Sequence, residues 1–194
     1  MSEKRTEGFR IGTYRGKLLP TISSDSKNLE DREYKIQRDL YHIGRLKILY
    51  GRDDEKNIML RLFAYEVPLS NGKRIDLLGY DADFNMWIIE VKQVKSSAGI
   101  DDVKNQINEY EKLLMNSKKE IEAEFREAFL LPDFTFLEIK KMVLAPRKFY
   151  VDKVIKKDDN DILYCSFARI ADEKELSLVE DAKGKGYVDL RIEK

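Results

Sequence analysis

Two carboxylates and a lysine fall where they could meet a divalent cation. Glu90 and Lys92 flank Val91 at the end of an apolar run, and Asp76 lies in the preceding apolar segment. Side chains alternate between the faces of a strand, so Glu90 and Lys92 project to the same side. Mg²⁺ keeps several waters, so one or two carboxylates, a main-chain carbonyl and a phosphate oxygen suffice to bind it. A lysine beside it can position, or help to deprotonate, a water that attacks phosphorus.

The acid-x-lysine spacing is not specific by itself, because it recurs in this highly charged chain, for example at Glu138 and Lys140. The copy at Glu90 differs in its context. It ends an apolar strand, follows a hairpin strand that carries Asp76, and precedes a helix. These three features together favour a functional site over a solvated ion pair, which would contribute little to stability.

The elements that must position these residues follow from the apolar periodicity. A helix is predicted from Leu29, with Asn28 as its N-cap and Gly44 at its end. A second helix is predicted from about Asp101; it either continues to Pro132 or pauses near Asn116. Strands are predicted at 58–69, 74–80, 86–92, 139–145, 162–168 and 187–192, the first two joined by a Ser-Asn-Gly turn. This order predicts a mixed α/β domain with helices covering a central sheet.

Composition sets limits on the class of protein. The 194 residues include 36 Lys+Arg and 36 Asp+Glu, so the net charge of zero argues against a polybasic tail protein. Cys165 alone forms no internal disulfide, and with His42, the single histidine, it supplies too few ligands for a zinc site. We expect Cys165 to be buried and His42 to be structural or exposed. Without a signal peptide or an apolar span of about 20 residues, the expectation is a soluble cytoplasmic protein.

Three segments together carry a resemblance to a known family. Residues 74–79 read RIDLLG, residues 88–92 read IIEVK and residues 106–110 read QINEY. They resemble the PD-(D/E)XK nuclease superfamily, which has the restriction-endonuclease-like fold. The spacing of Gln106 and Tyr110 is similar to a RecB-like motif, and the first two segments are similar to NucS-type endonuclease domains. The resemblance covers roughly residues 29–145; one departure is that Ile75, not proline, precedes Asp76.

The resemblance implies an endonuclease-type hydrolase that cleaves phosphodiester bonds, with DNA as the expected polymer. It implies a core of a helix, three antiparallel strands, a helix and a further parallel strand. Asp76 and Glu90 would bind Mg²⁺ or Mn²⁺ together with the Val91 carbonyl, and Lys92 would act at the attacking water. It also implies an acidic residue on the first helix, for which Glu33 is the first choice and Glu30 the second. Gln106 would support the site, and restriction-like nucleases often pair into dimers.

The basic stretch 140–157 is a candidate for contacts with nucleic acid, because its lysines and arginine surround Phe149 and Tyr150. Its basic residues include Lys140, Lys141, Lys153, Lys156 and Lys157. Such a stretch can neutralise phosphates and stack a base, although it can equally be a solvated face. The candidate nucleic-acid contacts are Lys95, Tyr110, Arg147, Lys148 and Tyr150.

The chain is divided by these features into a polar N-terminal tail at 1–28 and a single domain at 29–194. Within the domain, 29–145 forms the nuclease-like core and 146–194 a strand-rich extension. Two other functions stay open. One is a nucleic-acid-binding or assembly module that keeps the fold without catalysis. The other is a structural protein with accidental motif spacing, which predicts that Asp76 and Glu90 lie far apart.

Overall fold

The computed structural model describes residues 32–50, 53–69, 71–93, 96–150, 153, 161–167, 175–176 and 188–192. Several sequence predictions fall outside these residues, namely the tail at 1–28, Leu29, Glu30 and Lys95. The side chains of His42 and Arg147 lie outside the description as well.

Three helices and eight strands make up the described chain. The helices are α1 (Arg32–Ile43), α2 (Ile100–Phe129) and α3 (Arg147–Tyr150). The strands are β1 (Arg45–Tyr50), β2 (Asp53–Pro68), β3 (Arg74–Tyr80), β4 (Met86–Val91), β5 (Ile139–Pro146), β6 (Ile162–Phe167), β7 (Glu175–Leu176) and β8 (Val188–Ile192). The predicted mixed α/β class is confirmed.

One mixed sheet contains all of the described strands, in the order β1-β2-β3-β4-β5-β6-β8-β7. Strands β1 to β4 pair antiparallel, whereas β5 is parallel to β4 and β6 is parallel to β5. Strand β8 also pairs with β1, so the sheet curls back on itself. Because β4 and β5 run in the same direction, their carboxyl ends lie at one edge of the sheet, next to the start of β3.

The two faces of β4 pack against different helices. Ile88 belongs to an apolar cluster with Val103 and Ile107 of α2. Ile89 and Val91 belong to a second cluster, which includes Leu40 and Tyr41 of α1. The predicted alternation along β4 is therefore confirmed, and Glu90 lies on the α2 side of the sheet. Trp87 is in the second cluster, as expected of a core residue.

Helix α2 continues through Asn116 without a pause. The apolar spacing explains this, because Ile121 and Phe125 keep the helical phase of Leu114 and are buried with it. Asn116 falls on the exposed face, where a polar residue interrupts no packing. Although α2 is 30 residues long, it is amphipathic, and no described helix is apolar enough over a sufficient length to cross a membrane.

Strand β1 is absent from the sequence predictions, and β2 begins at Asp53 rather than Ile58. The signal for β1 was the alternation of Leu46 and Ile48, both buried. The polar start of β2 carries no apolar pattern and is ordered by pairing with β1, where Tyr50 faces Asp53. Gly44 ends α1 as predicted, with a φ of 72° and its amide donating to the Leu40 carbonyl.

A buried lysine joins α2 to the sheet. Lys141 of β5 donates to Asn108 Oδ1 at 2.9 Å and Glu111 Oε2 at 2.8 Å, both on α2, and to Asp161 Oδ2 at 2.7 Å, just before β6. Its side chain is 7% exposed. Burial opposes the charged form, but these partners outweigh it and raise the pKa of Lys141.

Lys141→Met should therefore lower the free energy of unfolding by about 1–2 kcal/mol, measured by urea denaturation. The loss stays moderate because Asp161, with a side chain 56% exposed, regains water. Lys140→Met is the matched control: Lys140 is 37% exposed, lies 4.0 Å from Asp81 and should cost under about 0.5 kcal/mol. Equal effects of the two substitutions would contradict the assignment of Lys141 as a buried tie.

Candidate active site

Asp76 and Glu90 lie side by side where β3 begins and β4 ends, a region we call the carboxylate edge. The β3–β4 register pairs Leu77 with Ile89, so the next step places Asp76 opposite Glu90. Both residues are buried, at 8% and 1% exposure. The expected proximity of Asp76 and Glu90 is therefore confirmed. The alternative of a structural protein with accidental motif spacing predicted that they lie far apart, and that prediction is wrong.

Hydrogen bonds fix both carboxyl groups. Asp76 Oδ2 accepts from the Val91 amide at 2.6 Å. Glu90 Oε1 accepts from Lys92 Nζ and also from Gln106 Nε2, the latter at 2.7 Å. The same Gln106 nitrogen donates to the Tyr110 hydroxyl at 2.5 Å. Helix α2 therefore reaches the carboxylate edge through Gln106, with Tyr110 behind it.

Helix α1 brings a third carboxylate to this edge. Glu33 Oε1 lies 4.0 Å from Lys92 Nζ, and the Glu33 side chain is 23% exposed. The first-choice helix carboxylate of the sequence analysis is thus next to the lysine. The second choice, Glu30, lies outside the described residues.

The surroundings of the two central carboxyl groups raise the pKa of both. Burial first, and then the charge of Glu90, raise the pKa of Asp76 well above its usual value. Burial also raises the pKa of Glu90 to about 6, although the charge and hydrogen bond of Lys92 oppose this shift. The negative charge of Glu33 adds to the upward shift in the pKa of Glu90. A nearby cation would allow both groups to ionise.

Lys92 is held as a cation by its neighbours. Burial disfavours its charge, but Glu90, Asp76 and Glu33 together outweigh burial and raise the pKa of Lys92. Lys92 is 7% exposed, and its amide continues the β4–β5 ladder by donating to the Leu144 carbonyl at 2.9 Å. Its ammonium group is therefore fixed within the carboxylate edge.

The donor set fits a hard divalent cation with an incomplete protein shell. Glu90 Oε2 is buried and accepts no hydrogen bond from any described residue. Within the described ranges, no three Asp, Glu, His or Cys side chains form a closed metal cage. Mg²⁺ requires none, since it commonly takes one or two carboxylates and fills its octahedral shell with water and phosphate oxygens. Asp76 and Glu90 meet that requirement.

Two predicted nucleic-acid contacts need correction. Tyr150 is 5% exposed, and its hydroxyl lies within hydrogen-bond distance of the Val143 and Cys165 carbonyl oxygens, at 3.0 and 2.8 Å. Its ring belongs to the core and cannot stack on a base. Tyr110 is 2% exposed, and burial followed by the charge of Glu90 raises its pKa. It supports Gln106 instead of facing a nucleic acid.

The basic stretch 140–157 is only partly available to a ligand. Lys141 is buried and paired with Glu111 and Asp161, so it is not available to a phosphate. Phe149 is a core residue, 3% exposed, and Lys153 Nζ lies 4.4 Å from the centroid of its ring. Lys148 is exposed on α3. Because α3 directly follows β5, which is parallel to β4, Lys148 lies near the same end of these strands as the carboxylate edge. Cys165 is buried as expected, and burial raises its thiol pKa.

The β2–β3 hairpin adds two charged residues that the sequence analysis did not single out. Arg74 begins β3, and its Nη1 donates to Glu66 Oε2 of β2 at 3.0 Å. A signal for Arg74 existed, since it lies two positions before Asp76 and so shares its strand face. Glu66 had no comparable signal, because its position depends on the pairing of β2 with β3.

Comparisons with known proteins give little further information. No protein-family model matches the sequence, and no curated protein matches it. Among solved structures, the chain is similar to a crystal structure of a repair endonuclease from Pyrococcus abyssi, with a TM-score of 0.29 and 14% sequence identity. The match covers 54% of this chain and 37% of that chain. A similarity of this extent supports no conclusion about activity.

Proposed function

We propose that this chain is a metal-dependent nuclease that hydrolyses phosphodiester bonds in DNA. The observation that carries the proposal is the burial of Asp76 and Glu90 side by side, with Lys92 in contact. Two adjacent buried carboxyl groups are costly when ionised, and a divalent cation would offset that cost. A purely structural role would be served better by apolar side chains of similar volume.

The order of the elements is consistent with a restriction-endonuclease-like core. Helix α1 precedes the antiparallel strands β2, β3 and β4, and α2 then leads to β5, which is parallel to β4. That is the order implied by the resemblance of the three sequence segments. Strands β1 and β8 lie outside this minimal core.

Asp76, Glu90 and the Val91 carbonyl would hold Mg²⁺ or Mn²⁺ in this proposal. When bound, such a cation stabilises the negative charge that develops on the phosphate oxygens during hydrolysis. Gln106 holds Glu90 through Oε1, and no donor among the described residues contacts Oε2. The hydrogen bond from Gln106 of α2 therefore orients the Glu90 carboxylate, and Glu90 Oε2 would be available to the cation.

Lys92 would orient the attacking water or a phosphate oxygen by donating hydrogen bonds. Because Glu90, Asp76 and Glu33 raise the pKa of Lys92, the metal-free protein holds this amine as an ammonium group, which donates hydrogen bonds. Help with the deprotonation of that water, the other role expected of Lys92 from the sequence, stays a prediction. Glu33, 4.0 Å away, adds negative charge that favours the ammonium form.

The proposal is tested by combining DNA cleavage with a metal titration. We expect the full-length protein to cut at least one of single-stranded, duplex or branched DNA when Mg²⁺ or Mn²⁺ is present, and none in EDTA. Calorimetric titration of the DNA-free protein should show binding of the same metals. DNA binding without metal binding or cleavage would instead support the non-catalytic module, and neither binding nor cleavage would refute both functions.

A further inference from the structure

Arg74 is an exposed cation at the carboxylate edge with no role in the proposed chemistry. It opens β3 two residues before Asp76, and its side chain is 62% exposed. Pairing with Pro68 places it at the end of the β2–β3 ladder. A guanidinium in this position borders the place where a phosphodiester would meet Asp76 and Glu90.

Glu66 orients this guanidinium. The contact from Arg74 Nη1 to Glu66 Oε2, at 3.0 Å, uses one of the five N–H donors of the arginine. Glu66 falls opposite Asp76, because β2 and β3 pair Tyr65 with Leu77 and Val67 with Ile75. Glu66 also has a φ of 51°, a left-handed conformation that a residue other than glycine rarely adopts in a strand. The hairpin therefore maintains an unfavourable backbone conformation at the residue that holds Arg74.

The end of the hairpin is tied to α2, the helix that carries Gln106. Asn71 Oδ1 accepts from the Lys73 amide at 3.0 Å, and Asn71 Nδ2 donates to Glu109 Oε1 at 2.8 Å. Lys73 Nζ also contacts Glu109 Oε2, at 2.6 Å. Gly72 supplies the positive φ of 80° that the turn requires. These contacts hold the hairpin carrying Arg74 and the helix contacting Glu90 in one arrangement.

We propose that Arg74 binds a phosphate of the DNA backbone next to the bond that is cut, with Glu66 as its positioning residue. This inference rests on the proposed nuclease function and adds a specific substrate contact to it. A carboxylate on one edge of a guanidinium leaves its other donors for bidentate binding of a phosphate, which a lysine cannot reproduce. An exposed ion pair such as Arg74–Glu66 contributes little to the free energy of unfolding, so little stabilisation is lost when Arg74 turns toward a phosphate.

The test measures DNA affinity against salt concentration by fluorescence anisotropy, using Asp76→Asn protein without metal so that no cleavage occurs. In this background, Arg74→Ala should weaken binding about tenfold and Arg74→Lys nearly as much. The slope of log affinity against log salt should fall by about 0.7–0.9, as for the loss of one phosphate contact. Arg61→Ala is the matched control, since Arg61 is also exposed but pairs with Tyr80, about 20 Å along the same hairpin.

The Glu66→Ala variant shows whether Glu66 positions the Arg74 guanidinium or only neutralises its charge. It should weaken DNA binding about threefold in the presence of Arg74 and have no further effect in Arg74→Ala protein. Tighter binding by Glu66→Ala would overturn the positioning role, because it would mean that Glu66 only cancels the arginine charge. An unchanged affinity and salt slope in Arg74→Ala would overturn the phosphate contact.

Failure of this inference is distinguishable from failure of the proposed function. If wild-type protein cleaves DNA with Mg²⁺ while Arg74→Ala binds and cleaves as well as Arg61→Ala, only the Arg74 contact is refuted. If wild-type protein neither binds nor cleaves DNA, the proposed function fails, and the Arg74 contact with it. Thermal melting of each variant checks that the hairpin remains folded.

Discussion

Replacing Lys92 with methionine should lower the rate of metal-dependent DNA cleavage by about a hundredfold to a thousandfold. Methionine keeps the length and packing of the buried side chain but removes the ammonium group that Glu90 and Glu33 hold at the carboxylate edge. Without that group, nothing donates from this position to the attacking water or the phosphate. The measurement is single-turnover cleavage with saturating enzyme, which reports the chemical step.

Two controls show whether the loss comes from chemistry. Lys92→Met should still bind Mg²⁺ in the calorimeter, because Asp76 and Glu90 are unchanged. Lys119→Met removes an exposed lysine about 20 Å along α2 from Gln106 and should cleave at the wild-type rate. A Lys92→Met rate within a few-fold of wild type, with metal binding retained, would show that Lys92 takes no part in the reaction.

Asp76→Asn should abolish metal binding and cleavage and yet make the metal-free protein more stable at neutral pH. Asparagine can still accept the Val91 amide hydrogen bond, but it carries no charge that must be buried beside Glu90. We expect a gain of at least about 1 kcal/mol in the free energy of unfolding at pH 7. Activity and stability thus change in opposite directions at this residue.

The sign of the pH dependence follows from the raised pKa values. A carboxyl group whose pKa is higher in the folded state than in the unfolded state stabilises the protein at pH values below its unfolded-state pKa. This stabilisation is lost as the pH rises through the folded-state pKa. For Glu90 the window runs from the ordinary value of 4.5 to about 6, and Asp76 acts in the same direction. Metal-free wild-type protein should therefore lose stability as the pH rises through this window.

Thermal or urea unfolding between pH 4 and pH 8, without metal, measures this dependence. Asp76→Asn should flatten the curve in that window, whereas Asp83→Asn, in the exposed turn after β3, should leave it unchanged. Mg²⁺ should stabilise wild-type and Asp83→Asn protein at pH 7 but not Asp76→Asn protein. If Asp76→Asn lowered stability at pH 7, Asp76 would be a structural residue and not part of a cation site.

Elements with local signals can be predicted from the amino-acid sequence alone. Apolar spacing defined α2, β3 and β4, and strand alternation put Glu90 and Lys92 on one face of β4. The polar turn at 81–85, between β3 and β4, made the antiparallel pairing of these two strands predictable. With that pairing, the meeting of Asp76 and Glu90 followed, because an antiparallel register fixes which residues oppose each other.

The folded structure was needed for every feature that depends on contacts between segments far apart in the chain. It showed that Glu33 reaches Lys92, that Gln106 bonds Glu90, and that Glu66 holds Arg74. It also moved Tyr150 and Lys141 from a predicted basic surface into the core. Local periodicity reports which face of an element is apolar, but burial and pKa depend on what packs against that face. For a charged or aromatic side chain, that packing determines whether the residue is available to a ligand or is buried in the core.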